Sequence, residues 1–340
     1  TMLLAGCSSA SNKSASQGAV QFKTSVDNGG TAVQDGKLKV GILSADPLTG
    51  MFNPVFYLQA TDYYVMEDTM AGTFSTDESY RFKQDVDDDP VKFHLDKDKK
   101  EVTLTVNKDL KWSNGKDVTA DDIIATYNLM GNKAYTDNVR YTDEFEVIEG
   151  MKDYHDGKAS SISGIISTFL NKDQVEAASK DFSKFSEAEL NTKPLSYGPY
   201  YFDKVVNGES VLAKANPYFY KKDDVKIKEI EYKVVSPAQA SAVIKNGEID
   251  YMKSLTTGVY EGVKDAKNGA VLGQPDFYMS YVGFKLGKFD KDKGESVVDP
   301  NAKAADVRVR QAFGYAVDWD QINEKIYKGL RFTPTNSGIY

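Results

Sequence analysis

The sequence has very few of the residue types that build disulfides and Cys/His metal sites. Its 340 residues include one cysteine, Cys7, and two histidines. A single cysteine cannot form an intrachain disulfide, and three such side chains fall short of the roughly four ligands of a closed zinc site. Cys7 also lies in a low-complexity stretch, which argues against a nucleophilic Cys–His pair. We therefore expect neither a metal nor a cofactor.

Long apolar runs and an excess of positive charge are also absent. The longest nearly apolar run, 162–170, is interrupted by serine, glycine and threonine. A helix that crosses a bilayer needs about 20 mostly apolar residues, so we expect no membrane span. The 42 basic and 50 acidic residues give a net charge of −8. Such a chain lacks the basic surface of a general nucleic-acid binder.

The sequence motifs of several enzyme classes are missing. We find no G-x-x-x-x-G-K-S/T phosphate loop, no G-x-S-x-G nucleophile turn and no H-E-x-x-H helix. His94 falls in a charged hairpin and His155 stands between Asp153 and Asp156. We expect both histidines to be surface residues rather than catalytic bases.

One acidic segment partly matches a calcium loop. Asp85, Asp87, Asp89 and Asp96 stand at loop positions 1, 3, 5 and 12, but the sixth position is Pro90. An EF-hand needs glycine there for its sharp turn, and proline cannot replace it. The segment is interpreted as a solvated acidic turn.

The composition is that of an ordinary globular protein. Hydrophobic residues make up 41% of the chain, which is too many for a disordered protein. Domains usually run to about 100–200 residues, so this length predicts two or three of them.

The N-terminus carries the first specific signal. Leu4-Ala5-Gly6-Cys7 is followed by a small, polar tract rich in serine. The pattern resembles the lipobox of a bacterial lipoprotein, which implies cleavage before Cys7 and a lipid on its sulfur. The charged start of such a signal is absent, so we expect the chain to be clipped at its front. Residues 1–36 are then a signal remnant and a flexible tether.

Hydrophobic periodicity and turn residues predict the regular elements. The predicted strands are Leu38–Ile42, Val91–Leu95 paired with Glu101–Val106, Tyr200–Phe202 with Glu209–Ala215, Ile230–Val234, Ile249–Met252 and Phe277–Leu286. The predicted helices occupy 57–71, a segment capped by Thr119 and closed by Gly131, a segment between Pro237 and Gly247, and two segments capped by Asp306 and Asp318. The strand–helix–strand order at 230–252 predicts a parallel pair.

Four stretches together carry a family resemblance. They are Leu110–Ile123 with its Trp-Ser-Asn-Gly turn, the series Tyr197-Gly198-Pro199-Tyr200, Asn216-Pro217-Tyr218 and Gly247-Glu248-Ile249-Asp250, the segment Asp306–Ala312 with Ala316-Val317-Asp318, and Glu149–Lys158 with Ile162–Ile165. Together they resemble the extracellular solute-binding proteins of the dipeptide and oligopeptide transport family. The last stretch is similar to oligopeptide-binding lipoproteins of Gram-positive bacteria.

The resemblance implies an α/β periplasmic-binding-protein-like fold of two lobes, with an extra subdomain inserted in one. Carried over, lobe I comprises 37–75 and 195–270, and the inserted subdomain comprises 76–194. Lobe II begins at 275–340 and is incomplete in this chain.

The resemblance also implies where a ligand binds. The candidate peptide contacts are Leu58, Gln59, Ala60, Lys253, Ser254, Leu255, Phe277, Tyr278 and Tyr281. The family's signature residues are interpreted as structural instead. Trp112 is expected to be a packed anchor, Asn114-Gly115 a turn, and Arg308 and Arg310 to fix helix and lobe packing, with a role at the permease face as the alternative.

The implied function is capture of oligopeptides outside the cell. A lipid-anchored monomer on the outer face of a Gram-positive membrane delivers them to the permease subunits of an ABC importer, and through these to its ATPase subunits. The alternatives are the same fold binding nickel, a sugar or an opine, and an orphan lipoprotein that senses peptides. A surface hydrolase is disfavoured by the missing motifs.

Overall fold

The computed structural model describes residues 22–27, 29–31, 33–57, 59–77, 81–99, 101–130, 168–273, 281–290 and 295–330. Cys7, Leu58, Gly131, His155, Phe277 and Tyr278 lie outside this set, as do the segment 149–165 and most of the predicted tether. The chain divides into two compact units, one of residues 29–255 and one of residues 1–28 with 256–340.

The first unit contains a five-stranded mixed sheet. Its strands are β1 (Gly36–Leu43), β4 (Tyr200–Val206), β5 (Ser210–Ala215), β6 (Ile227–Val235) and β7 (Tyr251–Met252), in the order β4-β5-β6-β1-β7. β1 is parallel to both β6 and β7, whereas β5 is antiparallel to β4 and β6. The predicted parallel relation of β6 and β7 is therefore correct, but the two strands are not neighbours because β1 lies between them.

Helix α1 (Ala60–Thr69) packs against this sheet. Val65 and Met66 of α1 are buried together with Val40 and Ile42 of β1 and Tyr232 of β6. β-Branched and aromatic residues on one face of the sheet thus meet the apolar side of the helix. The other elements of this unit are the hairpin β2 (Val91–Asp96) and β3 (Glu101–Val106), and the helices α2 (Ala120–Met130), α3 (Lys172–Ala178), α4 (Glu189–Thr192) and α5 (Pro237–Lys245).

Two further cores stabilise the hairpin and the helices. One packs Leu129 and Met130 of α2 against Val175 of α3 and Phe185. The other surrounds Trp112, which is 1% exposed. Both clusters are distinct from the core of the sheet.

The second unit contains helix α6 (Thr257–Val263), the hairpin β8 (Gly287–Asp290) and β9 (Glu295–Val298), and helices α7 (Val307–Ala316) and α8 (Trp319–Lys325). Asp306 and Asp318 cap α7 and α8 by accepting backbone N–H bonds, as predicted. Within the predicted tether, the Phe22 ring packs edge to face against the Tyr260 ring, with centroids 5.4 Å apart.

The strand predicted over Phe277–Leu286 is wrong where the structure describes it. Residues 281–286 are irregular, and β8 begins only at Gly287. Tyr281 and Val282 are exposed. Among the described residues this stretch has no hydrogen-bonded neighbour strand, so its backbone gains nothing from an extended ladder.

No helix in the described ranges is both long and apolar enough to cross a membrane.

Candidate functional site

The carboxyl ends of the parallel strands define one edge of the five-stranded sheet. β1 ends at Leu43, β6 at Val235 and β7 at Met252. The register pairs Leu43 with Val235, and Met252 with Gly41, two residues before the end of β1. Ligands of open α/β sheets generally bind outside this edge, in the loops that follow the strands. Here the loops are 44–59, which leads into α1, and 253–255, which ends the first unit.

The loop after β1 is fixed to α1 by one buried carboxylate. Asp62 is fully buried and accepts the backbone N–H of Thr49 at 3.0 Å, the Thr49 hydroxyl, and the Gly50 N–H at 3.4 Å. Burial raises the pKa of Asp62 and outweighs the lowering effect of these hydrogen bonds. The loop is therefore held in one position relative to the helix that follows it.

One face of α1 is exposed at this edge. Ala60, Tyr63 and Glu67 follow each other at helical spacing and are all exposed. Tyr57, from the preceding loop, lies against Tyr63 with ring centroids 5.0 Å apart. Tyr57 and Tyr63 are each 37% exposed. The first turn of α1 thus presents a rigid aromatic surface beside small and polar groups, which suits contact with varied side chains.

Lys253 reaches the same face from β7. Its ammonium group forms an ion pair with Glu67, lies 3.6 Å from Asp68 Oδ1, and sits 5.3 Å above the centre of the Tyr64 ring. The Tyr232 hydroxyl donates to Asp68 Oδ2 at 3.3 Å. Burial, reinforced by the Asp68 charge, raises the pKa of Tyr232 far above its ordinary value, so this hydroxyl stays a donor.

Three of the predicted contacts lie on α1 or against it, at different points along the helix. Gln59 is the N-terminal cap residue of α1, Ala60 is its first residue, and Lys253 binds its last turns. Ser254 is exposed and Leu255 half-buried in the segment that follows Lys253. Tyr281 is 78% exposed and belongs to the second unit.

Sequence reasoning missed the groups that organise this face, namely Tyr57, Asp62, Tyr63, Glu67, Asp68 and Tyr232. α1 is weakly amphipathic, because a carboxylate stands on its buried side and a tyrosine on its exposed side. The spacing of Ala60, Tyr63 and Glu67 opposite Val65 and Met66 is the signal that indicates the face.

The residues interpreted as structural behave as predicted. Trp112 Nε1 donates to Asp122 at 3.2 Å, and the ring packs edge-on against Tyr197 at 5.4 Å. Gly115 has a φ of +84°, and a Cβ there would lie 3.0 Å from the Tyr218 ring. Trp112 is therefore a packing anchor and Asn114-Gly115 a tight turn.

The two arginines of the third motif act at the start of α7. Arg308 forms an ion pair with Asp306 at 2.6 Å, and Arg310 donates to the carbonyls of Ala304 and Ala305. These contacts agree with the predicted role in fixing the helix, whereas the role in lobe packing and the alternative at the permease face stay predictions. His94 is also a surface residue, as predicted, with Nδ1 2.8 Å from Asp85 Oδ2.

The carboxylates of the calcium-like segment are each engaged separately. Asp87 pairs with Lys92, and Asp96 accepts turn N–H groups. The interpretation as a solvated turn is wrong for Asp89, which is only 6% exposed and accepts the N–H and hydroxyl of Ser75 in place of water. Within the part of the chain that the structure describes, no three His, Cys, Asp or Glu side chains are placed to hold a metal ion.

A separate open groove lies between α2 and α3, away from the sheet edge. Ile124, Leu129 and Val175 form its apolar part, and the Lys172–Asp121 ion pair of 3.1 Å stands on its rim. It shares no residue with the exposed face of α1.

Comparison with known proteins identifies the family. Residues 87–339 match the model described as bacterial extracellular solute-binding proteins, family 5 middle. The chain belongs to this family, whose members are solute-binding proteins rather than enzymes.

Individual relatives agree with this assignment. The oligopeptide-binding protein OppA of Lactococcus lactis subsp. lactis is 34% identical over 299 residues, which are 79% of this chain and 48% of that protein. The di/tripeptide-binding protein 1 of Pseudomonas aeruginosa is 23% identical over 307 residues, 82% of this chain and 54% of that protein. The chain thus spans about half the length of the curated relatives it matches.

A solved structure supports the fold. Lactococcal OppA, complexed with an endogenous peptide in the closed conformation, matches with a TM-score of 0.70 and 30% identity. The match covers 85% of this chain and 59% of that chain. The mixed α/β architecture described above is therefore that of an OppA-type binding protein, as the sequence motifs predicted.

Proposed function

We propose that this protein captures oligopeptides outside the cell and delivers them to the permease subunits of an ABC importer. The observation that carries the proposal is the similarity to lactococcal OppA in both sequence and fold, over most of this chain. The ATPase subunits of such an importer are indirect partners. Import then depends on a hinge motion in which bound peptide stabilises the closed state.

The proposed binding surface includes the exposed face of α1. From Ala60 to Glu67 this face extends about 10 Å, at about 1.5 Å per residue. An extended peptide covers that length with about three residues. Peptide backbone needs donors and acceptors, and its side chains need apolar and aromatic surface. Gln59 and Ser254 offer hydrogen-bond donors and acceptors, and Tyr63 offers an aromatic ring. The proposed set of contacts is completed by Leu58, Ala60, Lys253, Leu255, Phe277, Tyr278 and Tyr281.

The proposed architecture has lobe I at 37–75 and 195–270, the inserted subdomain at 76–194, and lobe II beginning at 275–340. The five-stranded sheet supports the first assignment, because its strands come from both parts of the proposed lobe I. The cores around Trp112 and Phe185 are distinct from the core of the sheet and support the second, although Phe56 and Tyr197 of the proposed lobe I also belong to them.

We further propose that lipid on Cys7 anchors a monomer to the outer face of the cytoplasmic membrane of a Gram-positive bacterium. The lipobox-like Leu4–Cys7 and the polar tract after it support this anchor. Radiolabelled palmitate incorporated by wild type, and lost in Cys7→Ala, is the expected result.

Native mass spectrometry tests the function. The sample is the soluble protein from Ser8 to the gene's own stop codon, purified from peptide-rich medium. It is expected to carry a ladder of adducts that fragment as short peptides. Adducts that fragment as a nickel complex, a sugar or an opine contradict the peptide assignment. A bare mass that is unchanged by an added peptide mixture contradicts it as well. Genes for two permeases and two ATPases beside this one distinguish import from peptide sensing.

A further inference from the structure

The environment of Lys253 contains three groups of two kinds that bind an ammonium ion, namely two carboxylates and one aromatic ring. Its Nζ has the Glu67 carboxylate as an ion-pair partner, Asp68 Oδ1 at 3.6 Å, and the Tyr64 ring face at 5.3 Å. Only 20% of the Lys253 side chain is exposed. Carboxylate and aromatic contacts reinforce each other when the cation is partly desolvated.

These partners do not depend on Lys253 for their positions. Glu67 and Asp68 belong to α1, whose opposite side is buried in the sheet core through Val65 and Met66. Asp68 is also held by the hydroxyl of Tyr232, a fully buried residue of β6. Removal of the lysine ammonium therefore leaves two carboxylates and a ring face in place on an exposed part of α1.

A ligand cannot readily displace the lysine that occupies this position. Lys253 is covalently attached one residue after β7, so its ammonium group is present at an effective concentration of order millimolar or more. A single ion pair near a protein surface contributes little free energy. A basic side chain of a peptide gains nothing by exchanging one such pair for another.

We propose that Lys253 is a specificity-determining residue, which fills a cation-binding position on the exposed face of α1 and so prevents the protein from selecting peptides with a basic side chain there. This inference rests on the proposed peptide-binding function. The inference gives the Lys253 ammonium group an indirect part in recognition, because this group faces α1 rather than a ligand.

The test compares peptide affinities of wild type and Lys253→Met in the full gene product. The probes are three series of a neutral peptide with alanine, lysine or glutamate introduced at each position in turn. For wild type, no lysine series member is expected to bind more tightly than its alanine counterpart. In K253M, at least one lysine peptide is expected to gain about three- to fivefold relative to alanine, and the gain is expected to shrink at high salt.

Three variants separate this role from a structural one. Lys253→Arg keeps the charge and is expected to restore the wild-type ratios. Glu67→Gln combined with K253M is expected to abolish the gain. Lys116→Met removes a matched lysine–carboxylate pair, with Asp173, in the α2–α3 region and is expected to leave the ratios unchanged.

The outcomes are distinguishable. If K253M weakens all peptides equally, or leaves every lysine-to-alanine ratio as in wild type, Lys253 is structural and the inference is overturned while peptide binding stands. If wild type binds none of the peptides, the proposed function is overturned and the inference falls with it.

Discussion

Asp62 and Thr49 are joined through both the backbone N–H and the hydroxyl of the threonine, so a buried carboxylate links α1 to the loop that precedes it. This link sets the position of the loop that leads to the exposed face of α1. Its energetics are pH-dependent, because burial raises the pKa of Asp62 above the ordinary 3.8.

The raised pKa of Asp62 determines how its contribution to the free energy of unfolding changes with pH. The folded protein binds the Asp62 proton more tightly than the unfolded chain does, so this residue contributes most at low pH. Its contribution falls as the pH rises from about 4 through the raised pKa. Urea unfolding of wild type and Asp62→Asn at pH 4–7 measures it. The stability of wild type minus that of the variant is expected to decrease with pH, and a constant or rising difference contradicts the account.

Gly198 is predicted to tolerate no side chain. A Cβ at this position would lie 2.4 Å from the Ala71 backbone nitrogen and 2.6 Å from the Thr69 carbonyl oxygen, at the end of α1. Because both obstacles are backbone atoms, Gly198→Ala is expected to cost about 1–3 kcal/mol of unfolding free energy or more. Gly72→Ala is the matched control, since nothing lies within 4 Å of its Cβ. Equal stabilities of the two variants in denaturant melts would refute the close approach.

Asp122 is predicted to be the central hydrogen-bond acceptor of the region around Trp112. It accepts from Trp112 Nε1, from Thr119 N–H at 2.8 Å and from Lys172 N–H at 2.7 Å, and it is buried. Asp122→Ala leaves these donors unpaired and is expected to destabilise the protein by about 2–4 kcal/mol. The adjacent Asp121→Ala removes only a surface ion pair with Lys172, so a change below about 1 kcal/mol is expected. Thermal unfolding distinguishes them, and a similar loss for both variants argues against a central role for Asp122.

Much of the fold follows from local sequence signals. The alternation of Leu38, Val40 and Ile42 predicts β1, and Asp306 and Asp318 predict the starts of α7 and α8, because these signals act through nearest neighbours. The position of β1 between β6 and β7 depends on contacts between residues about 200 positions apart, and no local pattern encodes it.

Less of the candidate site than of the fold can be predicted from the sequence. The resemblance placed Gln59 and Ala60 in one segment and Lys253 in another, and in the structure Lys253 contacts α1, which begins at Ala60. Glu67 and Asp68 are the carboxylates beside Lys253. In the sequence, nothing distinguishes them from ordinary acidic surface residues. Only the fold shows that Lys253 stands above them, because that contact joins residues far apart in the chain.

The central claim is that oligopeptides bind at the exposed face of α1. Photo-crosslinking tests it most directly, with a peptide mixture carrying a diazirine side chain, the full gene product and mass-spectrometric mapping of the adducts. The account predicts crosslinks within 57–67 and 253–255 that unlabelled peptide suppresses. Crosslinks confined to other parts of the chain, or a yield that unlabelled peptide does not reduce, would contradict it.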